Sequence, residues 1–145
     1  MNRKNNKQYS TTGIKHFPLP LLSDLEVLSW NIQASNNRVG CKFDDPEFMK
    51  IFEKGNIICL QEVRQDVKIP GYQSFVNIRP TQKDGGVSIS FKKELTKGIS
   101  QVKTLKAPDT VICKLDKKFF KTSTDIFVVN TYITPDNSSS KSKID

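Results

Sequence analysis

The chain has 145 residues, of which 36% are hydrophobic and 26% are charged, and its formal net charge is +8. This length predicts a single domain, and this balance of apolar and charged residues argues against an intrinsically disordered chain. No stretch approaches the roughly 18 consecutive apolar residues of a membrane-spanning helix, so we expect no membrane partner.

The predicted elements begin with a basic arm over residues 1–22, which Pro18 and Pro20 interrupt. Residues 25–32 then predict the first strand. Because apolar residues occur on both faces of that strand, the pattern favours a central strand covered on two sides.

A short helix is predicted after the first strand. Asp45 as N-cap and Pro46 at the first helical position mark its start. Gly55 lies where a left-handed residue would end the helix. The apolar stripe expected to face the core, at positions i, i+3 and i+4, consists of Phe48, Ile51 and Phe52.

Strands dominate the rest of the chain, with turns expected at residues 70–71 and 84–86 and a lysine-rich connection at 116–124. One helix with about six strands predicts the α+β class, in a domain over residues 23–137 followed by a polar tail at 138–145. The further predicted strands are residues 57–63, 72–78, 87–91, 110–115 and 125–133.

Polar side chains end three of these strands. Asn31 ends the first strand and Glu62 the second, so an amide and a carboxylate would project from one sheet edge if the two strands pair. A carboxylate there is costly unless it is solvated, paired or bound to a cation, and Mg²⁺ prefers such oxygen ligands. A solvated carboxylate is the commoner role for a residue like Glu62. Tyr132 closes a third strand in the same style.

Four motifs occur in an informative order: Leu-Ser-Trp-Asn-Ile at 28–32, Ile-Ile-Cys-Leu-Gln-Glu-Val at 57–63, Gly-Gly-Val-Ser-Ile at 85–89 and Val-Asn-Thr-Tyr-Ile-Thr-Pro at 129–135. Together they resemble the endonuclease/exonuclease/phosphatase superfamily, the deoxyribonuclease-I-like proteins. The stretch from Asp109 to Ser138 is similar to the endonuclease domains of non-LTR retrotransposons.

The resemblance implies a four-layer α/β sandwich and cleavage of phosphodiesters with Mg²⁺, or Mn²⁺ in its place. Glu62 matches the metal-binding carboxylate and Asn31 the amide that orients the phosphate. Tyr132 matches the hydroxyl set against the scissile phosphate. Asn137, shifted by one inserted residue, and Lys114 are the expected substrate-binding residues.

Two later motifs of the superfamily, Gly-Asp-x-Asn and Ser-Asp-His, are absent, and the only histidine is His16, in the arm. Gln33 stands where apurinic enzymes often have an acid. We therefore expect the N-terminal part of the domain, with the first sheet and its covering helix but without the C-terminal half. Such a chain would expose an unpaired sheet, would tend to self-associate and would lack most of its catalytic power, so whether it is an enzyme stays open.

Positive charge concentrates in two stretches. Residues 1–20 hold four basic residues and no acid, and residues 92–121 hold nine lysines against three acids. This pattern fits a polyanionic partner, with DNA the expected one. It fits equally well lysines that only keep edge strands and a tail soluble. Two alternatives to a nuclease are a non-catalytic basic nucleic-acid-binding module and a phosphatase of the same superfamily.

The three cysteines, Cys41, Cys59 and Cys113, form neither a CxxC pair nor a zinc-like spacing. Their odd number and the polar N-terminus, which has no apolar signal-peptide core, favour reduced thiols. We expect an intracellular protein, in the nucleus or the cytoplasm, rather than a secreted one.

Overall fold

The computed structural model describes residues 22–34, 40–79, 85–103 and 107–133. The arm up to residue 21, Asn137 and the tail at 138–145 lie outside the described residues. Within these ranges the chain forms two sheets and a few short helices, which confirms the α+β class. None of the described helices combines the length and the apolar character needed to cross a membrane.

The first sheet has four strands in the order β1-β2-β4-β3. β1 and β2 are parallel, with Asn31 opposite Gln61, and β4 runs antiparallel to both β2 and β3. The carboxyl ends of β1 and β2 therefore meet at one edge of the sheet, as the site prediction requires. The strands are β1 (Val27–Asn31), β2 (Ile57–Gln61), β3 (Tyr72–Asn77) and β4 (Val87–Lys92).

A second, antiparallel sheet consists of β5 (Ile99–Gln101), β6 (Thr110–Leu115) and β7 (Ile126–Thr131), in that order. The sequence predicts β6 and β7 but misses β5, because three residues are too few to show a period. It also misses the 3₁₀ helix Lys93–Gly98 and the helix α2 (Lys117–Phe120).

The two sheets pack face to face, which corrects the expectation that the first sheet would lack a partner. β4 alternates serine with apolar residues, and Ile89 and Phe91 on its apolar face are fully buried. They pack against Val111 and Cys113 of the second sheet. The second sheet thus covers the apolar face that sequence reasoning left open.

The opposite face of the first sheet carries the helix α1 (Pro46–Lys50). The Asp45 side chain accepts a hydrogen bond from the Glu47 amide at 2.9 Å, which confirms the predicted N-cap. Phe52 is buried with Ile58 and Leu60 of β2 in a second apolar cluster.

Two details of the predicted helix are wrong. Ile51 is 48% exposed, because the helix ends after a little more than one turn and the stripe does not continue. Gly55 has no left-handed backbone. It is needed for close packing instead, since a Cβ there would lie 2.8 Å from Leu28 Cδ1.

The prediction of a central, doubly covered β1 is also wrong. β1 is an edge strand of the first sheet in the described residues, and Val27 is 53% exposed. On the helix side Trp30 stacks on Phe48, with 5.3 Å between ring centroids. On one face of β1 the apolar residues serve this aromatic contact. Apolar residues on both faces therefore do not mean that a second sheet covers the whole strand.

Candidate functional site

The site centres on a hydrogen bond between the ends of β1 and β2. Asn31 Nδ2 donates to Glu62 Oε1 at 2.9 Å, and Asn31 Oδ1 accepts from the Gln33 amide at 3.0 Å. Asn31 closes β1 and Glu62 directly follows β2. The proximity expected from the sequence is confirmed, and its cause is the parallel pairing of the two strands.

The backbone at Glu62 leaves β2 in a left-handed conformation, with φ of 55°, which is uncommon for a residue with a side chain. The turn is held by hydrogen bonds from the Val63 and Arg64 amides to the carbonyls of Gly86 and Gly85, each at 3.2 Å. Gly85 and Gly86 themselves have positive φ. These positive φ values end the regular strand here, so Glu62 lies at the sheet edge and outside the alternating side-chain pattern of β2.

Tyr132 reaches the same carboxylate from the second sheet. The ladder continues beyond β7 through a bond from the Tyr132 amide to the Asp109 carbonyl at 2.9 Å. The Tyr132 side chain is hydrogen-bonded to Glu62, and since a carboxylate only accepts, the hydroxyl is the donor. The three predicted catalytic residues therefore meet, although they come from two different sheets.

Hydrogen bonding keeps Glu62 ionised. The bond from Asn31 is the largest influence lowering the pKa of this carboxyl, and the bond from Tyr132 is the next. Burial works in the opposite direction, and the nearby charge of Arg64 lowers the pKa further. Arg64 Nη2 lies 3.8 Å from Glu62 Oε2, and 15% of the Glu62 side chain is exposed. The site thus presents a shielded but reachable anion.

These residues fit a hydrated metal ion better than a metal site built only from protein ligands. Among the described residues no three acidic, histidine or cysteine side chains cluster as a metal centre. Mg²⁺ commonly binds through one or two carboxylates and completes its shell with water and substrate phosphate. Glu62 therefore fits a hydrated ion held partly by substrate, and not a cage of protein ligands.

Asp109 was not predicted as a site residue, yet it is a buried carboxylate next to the site, with 1% exposed. Its Oδ1 accepts from the Gly86 amide at 3.2 Å, and its Oδ2 forms an ion pair with Arg79. It therefore ties the glycine turn that holds Glu62 to the second sheet. A lone aspartate before a strand gives no sequence signal for such burial.

Lys114 does not join this cluster. The Lys114 Nζ lies 3.7 Å from Asp125 Oδ2. In the ladder of β6 and β7, Lys114 lies opposite Phe127, which is five residues before Tyr132. At the usual rise of a strand, this places Lys114 roughly 16 Å from Tyr132 along β7. Its predicted contact with substrate would thus be made well away from Glu62.

The candidate site therefore consists of Asn31, Glu62 and Tyr132, with Arg64 beside them. No protein-family model matches the chain, and no curated protein matches it either.

Proposed function

We propose that this chain forms the N-terminal part of a Mg²⁺-dependent, phosphodiester-cleaving endonuclease of the retrotransposon type, with DNA as its substrate. The observation that carries the proposal is the convergence of Asn31, Glu62 and Tyr132 on one sheet edge. The order of the four motifs supports the same assignment. The four-layer sandwich of the superfamily belongs to this proposal as well.

Each of the three side chains suits one task at a phosphodiester. Mg²⁺ would neutralise charge on the phosphoryl and leaving oxygens. Glu62, ionised at neutral pH, would hold the ion, and Asn31 would fix the orientation of the carboxylate by occupying Oε1. Tyr132 would place its hydroxyl beside the phosphate.

The same chemistry predicts weak cleavage by these 145 residues. Attack by water needs a general base, which typically contributes about 10²–10⁴-fold. The described residues include no histidine, and His16 lies outside them. The Ser-Asp-His motif that would supply this base in the superfamily is absent from the sequence.

The proposal is tested by titrating Mg²⁺ into the full chain while recording amide NMR spectra, alongside a plasmid-nicking assay. We expect Mg²⁺ to shift resonances around residues 31 and 62 in the wild type and not in Glu62→Gln. Glu47→Gln, which removes an exposed carboxylate of α1, is the matched control and should respond like the wild type.

The two measurements test the metal site and the expected weak cleavage separately. An unresponsive wild type would overturn the metal site. Rapid Mg²⁺-dependent nicking that Glu62→Gln abolishes would support the metal site and overturn the expectation of weak cleavage.

A second candidate function is non-catalytic binding of nucleic acid, favoured by lysines at the far end of the fold. The 3₁₀ helix Lys93–Gly98 and α2 meet there through a bond from the Asp116 amide to the Gly98 carbonyl at 2.8 Å. Since β7 runs from this end to Tyr132, roughly 20 Å separate the two regions. The exposed lysines are Lys93, Lys97, Lys117, Lys118 and Lys121.

This alternative predicts Mg²⁺-independent binding of a short DNA duplex that weakens steeply with salt. Replacing Lys117, Lys118 and Lys121 together by glutamine should reduce the salt slope by about 0.9 for each phosphate that these lysines neutralise in the wild type. The control replaces three exposed lysines elsewhere, which are Lys50, Lys54 and Lys68. Equal reductions in both triple variants would contradict a specific basic surface.

A further inference from the structure

A second layer of polar side chains lies directly behind the candidate site. Gln61 Nε2 donates to Asn130 Oδ1 at 2.7 Å and to Ser29 Oγ at 3.2 Å. These three residues belong to β2, β7 and β1. One amide group therefore connects three strands and both sheets.

Asn130 is the buried centre of this layer, with 3% exposed. Its Nδ2 donates to the carbonyls of Leu60 at 2.9 Å and Ser88 at 2.8 Å, so its side-chain bonds cross to the first sheet. An apolar side chain at position 130 alone would leave the Gln61 amide and the two carbonyls without this partner, and a buried polar group left unsatisfied costs free energy. What the amide adds over an apolar contact is direction.

The position of each member along its strand matches a residue of the site. Ser29 precedes Asn31 by two residues on β1, and Asn130 precedes Tyr132 by two residues along β7. Side chains two apart on a strand share a face. Gln61 immediately precedes Glu62. Every residue of the site therefore has a member of the polar layer next to it.

We infer that Ser29, Gln61 and Asn130 are positioning residues that hold the two sheets in the one arrangement in which Tyr132 and Asn31 both reach Glu62. Apolar burial is non-directional, whereas hydrogen bonds are confined to a narrow range of lengths and angles. The inference rests on the proposed function only for the catalytic role of Asn31, Glu62 and Tyr132. The arrangement of these three side chains can be measured in metal-free protein.

The test uses Gln61→Met and Asn130→Leu, which keep side-chain volume and remove the bonds, and reads the Asn31 side-chain amide by NMR. In the wild type, one Nδ2 proton is bonded to Glu62, so its shift should lie well away from the value of a solvent-exposed asparagine amide. We expect that shift to move to the solvent-exposed value in both variants. Val128→Ala, a core truncation on the same face of β7, should lower stability and leave the Asn31 signal unchanged.

Ser29 supplies variants that are safe for folding, because the residue is exposed. Ser29→Thr keeps the hydroxyl and should preserve the Asn31 signal, whereas Ser29→Ala should shift it. If the wild type binds Mg²⁺, Gln61→Met should raise the dissociation constant of Mg²⁺ about tenfold. An effect of this size is typical when a group that supports the metal ligands is lost.

Several results would overturn the inference. One is an Asn31 signal that stays unchanged in Gln61→Met. Another is a bonded-proton shift that moves equally in Val128→Ala. A wild type without any Mg²⁺ response would remove the proposed function, while the Asn31 signal would still decide the positioning role.

Discussion

At position 62 the chain leaves β2 in a left-handed conformation, and the carboxylate meets partners from both sheets. Asn31 contributes an amide, Tyr132 a hydroxyl and Arg64 a nearby charge. A residue held in this way is more than a solvated strand end, which is the commoner role for a glutamate at such a place.

The pKa of Glu62 predicts a pH-dependent contribution to stability. The folded-state pKa lies below the unfolded value, which is about 4.3 for glutamate. The ionised carboxylate therefore adds stability above that value, and the contribution is lost as pH falls through the folded pKa. We expect the advantage of the wild type over Glu62→Gln, measured by urea unfolding, to shrink between pH 7 and strongly acidic conditions. A constant difference would contradict this, and Glu47→Gln serves as the reference.

The three thiols should differ in reactivity. Burial raises the pKa of Cys59 to about 11 and that of Cys113 to about 12, whereas Cys41 is only half-buried. Because the thiolate is the reactive form, a disulfide reagent at pH 8 should modify Cys41 first and the other two only after unfolding. Cys41→Ser should remove the fast phase, and a fast phase that survives would contradict the assignment.

At the scale of elements, the junction between the 3₁₀ helix Lys93–Gly98 and α2 depends on a glycine. A Cβ at Gly98 would overlap the Phe119 ring. α2 starts at this point because the Asp116 side chain accepts from the Lys118 and Phe119 amides, each at 2.9 Å. The cap fixes where the ring lies, and the glycine leaves room for it.

Gly98→Ala should therefore destabilise the protein by about 1–3 kcal/mol through overpacking, as measured by urea unfolding. The cost should fall when Phe119→Ala is already present, because the overlapping ring is then gone. Equal costs in the two backgrounds would show that the cause is the backbone at position 98 and not the contact with α2.

At the scale of the whole molecule, the inner faces of both sheets are buried against each other, but the outer face of the second sheet is not covered in the described residues. Phe127 and Val129 are each 56% exposed on β7. β7 is also the last strand of its sheet in that part of the chain. An apolar edge strand of this kind favours pairing with another chain.

We therefore expect the protein to associate as its concentration rises, as measured by sedimentation. Replacing both Phe127 and Val129 by threonine should prevent this and change the free energy of unfolding by no more than about 0.5 kcal/mol, as for other surface sites. Val27→Thr, at an exposed valine of β1, is the control and should associate like the wild type. A wild type that stays monomeric at high concentration would contradict the prediction.

Sequence reasoning succeeded where short-range chemistry decides the outcome. Asp45 caps its helix as predicted because the cap bond spans only two residues. The strand prediction 110–115 matches β6, and the ends of β1 and β2 place Asn31 beside Glu62. In each case the residues that determine the feature are near one another in the chain or share a simple pairing.

By itself, then, the sequence determined the α+β class, most strands and the Asp45 cap, because periodicity and capping act over a few residues. It also located Asn31 and Glu62 at the ends of two strands, and the parallel pairing of those strands brought the two side chains together. Only the tertiary structure decided that β1 is an edge strand among the described residues, that a second sheet covers the first, and that Asp109 is buried. It also decided that Asn130 reaches Gln61, a bond between residues 69 positions apart. Such contacts depend on which surfaces meet after the chain folds, and no local pattern encodes that choice.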